Sequence, residues 1–174
     1  MYSTNEAWPQ VWYERPVGPV GGPVGSAAAP ENHMSEATLD AFVTALQERL
    51  REGYKIGTWG GAGSDWRMLC KECPSREADI RALALASVDV PVASCMSIGM
   101  MMGLNAACRA LGVALKDSEA SASVPDLWTN GGIEGRLKAL QHVSNDAYAT
   151  LLVIKHAESS GALPWVTQRG TIKT

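Results

Sequence analysis

The chain is poor in the residues that most catalysis, nucleic-acid binding and membrane insertion require. Of 174 residues, three are histidine and one is phenylalanine. Charged residues make up 19% and the formal net charge is -3. A weakly acidic chain without clustered Lys and Arg lacks the electrostatic footprint of a phosphate-binding protein, so no nucleic-acid partner is expected. The nearest basic cluster, Arg49, Arg51 and Lys55, is interleaved with Glu48 and Glu52, as on a solvated helix face with intrahelical ion pairs. Glycines are frequent, but "TWGGAG" is followed by no Lys-Ser or Lys-Thr, which excludes a phosphate loop. The one long apolar run, Val88 to Leu115, is interrupted by Asp89, Asn105 and Arg109. It falls short of the roughly 20 apolar residues that cross a bilayer, so no membrane span is expected. The N-terminus lacks the basic and apolar regions of a secretory signal. The expectation is a cytoplasmic protein, or one assembled into a virion from there, with its four cysteines as thiols.

Residues 1–34 differ in kind from the rest. Trp8, Trp12 and Tyr13 are followed by Pro-Val-Gly units at Pro16, Pro19 and Pro23. Proline removes backbone donors and blocks helix, while glycine raises the entropy of any fixed form. This segment reads as an extended arm with no core of its own. Its aromatic cluster is unlike a solvating tail. The arm is therefore expected to dock on a protein partner or a neighbouring subunit through Trp8, Trp12, Tyr13, Pro16, Pro19 and Pro23, and a homo-oligomer is expected.

Residues 35–162 read as a mainly α domain of about five helices, with minimal strand, and residues 163–174 as a C-terminal tail. Ser35 caps a first amphipathic helix with Leu39, Phe42, Val43, Leu46 and Leu50 at helical spacing, ended by Gly53. A Gly/Trp-rich loop carrying Trp59 and Trp66 follows and could form an apolar ligand pocket. Ser75 is read as capping a second helix, broken at Asp89-Val90-Pro91. Ser94 is read as capping a third, central and apolar, over about 95–111. Gly99 and Gly103 in it suit close packing, and Cys95 is its buried first residue. A polar linker precedes the turn signal "LWTNGG". Two more helices are expected over 133–143 and 146–159, the last capped by Ser144 or Asn145. Trp165 is the anchor candidate of the tail.

Two constellations could carry chemistry. Cys70-x-x-Cys73 has the spacing of a zinc or redox pair. Cys95 and Cys108 cannot both complete it, because thirteen residues of one helix put them roughly 20 Å apart; His33 would serve only if the arm folds back. No histidine follows the pair before His142, so free thiols, no metal and no cofactor are expected. The second is Cys95 with His142 and Asn145, a possible nucleophile, base and orienting group of a hydrolase or transferase. A cysteine packed in the core explains Cys95 more simply.

"CMSIGMMMGLNAACRALGV", followed by "VSNDAYATLLVIKHAES" and preceded by "LQERLREGYKIGTWGG", resembles a group of small helical proteins of actinobacteria and their phages. That group shows Cys-x-x-Gly opening an apolar helix, then Asn-Asp and a final helix. The resemblance covers about residues 35–160. Ser144 stands where the group has Trp, and "DSEASAS" is an insertion. The group has no assigned activity; the resemblance implies a phage or actinobacterial origin.

Overall fold

The computed structural model describes residues 34–113, 123–167 and 169–173. It is mainly α, as expected. Seven helices lie among the described residues: α1 (Glu36–Arg51), α2 (Asp65–Glu72), α3 (Glu77–Ala86), α4 (Val90–Ile98), α5 (Leu104–Ala110), α6 (Val124–Asn130) and α7 (Gly132–Ser160). Four two-residue strands accompany them: β1 (Gly57–Thr58), β2 (Val88–Asp89), β3 (Trp165–Val166) and β4 (Ile172–Lys173). Strand β1 pairs parallel with β2, with Gly57 opposite Val88, and β3 pairs antiparallel with β4.

Helix α1 starts at Ser35, whose hydroxyl accepts from the Thr38 amide at 3.2 Å. It buries Leu39, Val43 and Leu46 against Trp66 of α2, Cys73, and Ile80 and Leu83 of α3. The Gly/Trp segment is shorter as a loop than its glycines imply, because Asp65–Glu72 is helical. Ser75 does not cap α3. It lies in a 3-10 turn, Pro74–Arg76, and its hydroxyl donates to Glu36 at 2.7 Å. Arg76 joins α3 to α1: it pairs with Asp40 and with Asp79 (2.6 Å), and donates to Gln47 (2.9 Å) and Thr44 (3.2 Å).

The central helix over 95–111 is the main correction. Asp89 rather than Ser94 caps the segment, accepting from the Val92 amide at 3.2 Å, and Pro91 sits in the first turn, where its missing N–H costs nothing. Gly99 then takes a left-handed conformation (φ +75°) and ends α4. Residues 99–103 are a turn, and α5 restarts at Leu104. Ser94 is buried inside α4. Its hydroxyl donates towards the carbonyls of Pro91 (2.8 Å) and Met100 (3.1 Å) and accepts from the Met102 amide (3.2 Å), which fixes the turn. Met102 points inward while Met100 and Met101 are exposed, so the methionines do not surround a buried helix.

The helices expected over 133–143 and 146–159 are one 29-residue helix, α7, about 43 Å long. Neither Ser144 nor Asn145 caps anything; the Asn145 side chain accepts from Gln141 one turn back at 2.9 Å. The "LWTN" of the turn signal is the end of α6, and the turn itself is Gly131. A Cβ on Gly135 would lie 2.5 Å from the Leu127 carbonyl oxygen, so α6 crosses α7 over bare backbone, with Ala139 buried one turn on. The second half of α7 buries Ala149 and Val153 against Met102, Ala107 and Cys108, and Trp165 and Leu163 close this second core from the tail.

Candidate functional site

Two surfaces among the described residues stand out, although Leu85, a large apolar side chain, is exposed elsewhere as well. The first is the outward side of α4 and the turn after it. Val90, Pro91 and Ser94 face inward. On a 3.6-residue period the opposite side carries Val92, Cys95, Met96 and Gly99, and Met100 and Met101 continue it. All are exposed: Met96 is 85% accessible and Met101 63%. No charged residue occurs between Val90 and Gly103. Cys95 is thus neither the first residue of its helix nor buried. Without a charge to solvate it, this patch belongs to the class that marks contact surfaces.

The second is a cleft of about 1430 Å³ between α1, the β1 loop, α4, α7 and the tail. Its apolar walls include Val90, Ile98, Leu151 and Ile154. Trp59 and Trp165 flank it, and Arg49, Lys55, Asp146 and Lys155 lie along its rim. At its floor β1 abuts α7: a side chain at Gly57 would collide with Ile154. Asp89 holds the loop beside it, accepting from the Thr58 hydroxyl (2.9 Å) and the Ala62 amide (3.0 Å) while capping α4. Sequence reasoning missed this role; an Asp just before Val-Pro is a cap signature as well as a helix breaker.

The structure disperses the chemical candidates. Cys95 faces outward from α4, whereas the α4 residues on the cleft are Val90, Ala93, Ser94, Ser97 and Ile98. Neither His142 nor Asn145 lines that cleft. His142 Nε2 lies 3.3 Å from the Asp146 carboxylate, one turn along α7. Cys108 is buried in the second core; desolvation first, then the charge of Asp146, pushes its thiol up to about 11. Cys70 is half-buried on α2 and Cys73 is buried just after it, 3.8 Å from the Ser75 hydroxyl. All four cysteines are free thiols, and no group of three or more potential metal ligands occurs among the described residues.

Trp59 reaches the cleft, but Trp66 does not. It is packed in the first core, where its indole N–H has no partner among the described residues. Trp8, Trp12, Tyr13, Pro16, Pro19, Pro23 and His33 lie outside the described residues. No helix among the described residues is long and apolar enough to cross a membrane. Neither a family model, a curated protein nor a solved structure matches this chain.

Proposed function

We propose that this chain is a non-enzymatic structural or interaction protein, of the kind that builds a phage particle, and that its N-terminal arm docks on a partner or neighbouring subunit. The observation that carries the reading is the uncharged outward face of α4 and its turn. Val92, Cys95, Met96, Met100 and Met101 stand in solvent on a domain whose cores are already closed. Exposed apolar area of this kind is retained where something covers it in use, and methionine is suited to adaptable contact surfaces. Native mass spectrometry tests the reading. The full chain is expected to form complexes larger than a monomer. Removing residues 1–30, or making Met96→Glu with Met101→Glu, is expected to reduce them. A monomer for all three chains at every concentration would overturn the proposal.

A second reading is supported by the cleft: its apolar walls and its two tryptophans suit a ligand-binding module. Ligand-dependent quenching that is lost in Trp59→Phe would favour it over the first.

A further inference from the structure

We infer that the cleft takes an uncharged, largely apolar ring compound carrying one hydrogen-bonding oxygen, of the aromatic-alcohol class, and that the Thr150 hydroxyl meets that oxygen. The inference rests on the second reading above. It adds the chemical class of the ligand and the side chain that selects it.

Thr150 is the residue that points to a ligand. Among the described residues, Ser94 and Thr150 are the buried polar side chains. Ser94 is fully engaged by two carbonyls and an amide. Thr150 is 7% exposed and lines the cleft, and its hydroxyl makes no hydrogen bond to a described residue. The usual outlet for a helical hydroxyl is a carbonyl one turn back. Ser160 of the same helix uses it, donating to His156 at 2.7 Å; Thr150 does not. A hydroxyl withdrawn from water without a partner costs stability, and an apolar side chain of the same shape would avoid that cost. Thr150 is therefore a poor choice for packing and a good one for meeting a polar atom that arrives in the cleft.

The surroundings define the rest of the ligand. Ala149 and Val153 flank Thr150 on α7 and belong to the second core. Trp59 and Trp165 pack against that core and also line the cleft. The hydroxyl is thus set at the tryptophan end, where indole rings offer flat apolar surface to another ring. Leu151 and Ile154 continue the apolar wall beyond it.

Charge argues against an ionic ligand. On the rim, Arg49 is paired with Glu52 (3.0 Å), Lys55 with Glu158 (3.6 Å), and Asp146 faces His142 (3.3 Å). Asp65 accepts from the Ser64 hydroxyl at 3.0 Å. An ion entering the cleft would have to break one of these contacts or lose its hydration against apolar walls. Lys155 stands outside these pairs, but it is exposed. It lies five residues beyond Thr150, about 140° around the helix, and so at the edge rather than the floor.

Three ring compounds of similar size test the inference by equilibrium dialysis against the full chain at neutral pH: naphthalene, naphthol and naphthoate. Naphthol is expected to bind about three- to tenfold more tightly than naphthalene, the gain from one hydrogen bond, and naphthoate more weakly than naphthol. Thr150→Val is expected to abolish the preference for naphthol over naphthalene, and Thr150→Ser to keep it. A second readout needs no ligand. With no partner to lose, Thr150→Val is expected to leave the melting temperature unchanged or raise it. A clear fall would mean that the hydroxyl is already bonded within the fold, and would overturn the inference. So would a naphthol preference that survives in Thr150→Val. If the three compounds bind alike in every chain, the class is refuted and the cleft remains a ligand site. Naphthoate binding more tightly than naphthol would refute it too, in favour of an anion at Lys155. If none binds up to its solubility limit, the inference and the second reading fall together.

Discussion

Ser94 shows how much one hydroxyl contributes when it is buried. It serves two carbonyls and one amide across the turn that separates α4 from α5. Replacing it by alanine leaves the buried Met102 N–H without its acceptor, so Ser94→Ala is expected to cost about 1–3 kcal/mol in chemical denaturation. Cys108 offers a second check at this scale. With its thiol pushed up to about 11, almost no thiolate forms near neutrality and the side chain is enclosed. In the native protein it should resist iodoacetamide at pH 8 and react after denaturation; rapid native labelling would mean the second core is open. The sequence reading put Cys95 in the core, whereas Cys73 and Cys108 are the buried thiols and Cys95 is exposed. Burial depends on helix phase, and the phase of α4 changes once Asp89 replaces Ser94 as its cap. Asp146 as a neighbour of His142 was equally hidden, because it depends on the phase of α7.

At the level of elements, glycine spacing had two possible meanings and the chain uses both. Gly99 and Gly103 read as a close-packing pair, but such a pair works only if the helix continues through it. Gly99 instead adopts a positive φ and stops α4. The pattern Gly131-x-x-x-Gly135-x-x-x-Ala139 does bring two helices together, with α6 lying over Gly135. Gly135→Ala puts a methyl against the Leu127 carbonyl, which is backbone and cannot rotate away. The substitution is expected to destabilise the α6–α7 hairpin by about 1–3 kcal/mol, measurable as faster amide exchange in Val124–Asn130 with α1 unchanged. Helix α1 was legible because cap, period and terminating glycine agree. Helix α7 was read as two pieces because Ser144 and Asn145 are good caps in isolation. A helix already propagating gains more from continuing than from being capped midway.

For the whole molecule, the mainly α class followed from periodicity, while the division into two cores did not, since it rests on contacts distant in sequence. Arg76 is the main polar tie within the first core. Its guanidinium holds Asp79 below the usual carboxylate range, chiefly through their hydrogen bond, and Arg76 itself is raised, first by Asp79 and then by Asp40. Because the folded pKa of Asp79 lies below the unfolded one, its stabilisation is complete above the ordinary carboxylate pKa and is lost as pH falls below it. The melting temperature is expected to decline on acidification from about pH 5 to pH 3, with a smaller decline in Arg76→Gln; an identical decline in both would refute this role. Asp89 works at the same scale by different means. Its carboxylate receives the Ala62 amide from the loop beside β1 and the Val92 amide from the first turn of α4. Two amides far apart in sequence therefore share one protector. They should take up deuterium in step, as parts of one cooperative unit, so that loosening the glycine loop at the cleft also frays the helix that carries the methionine face.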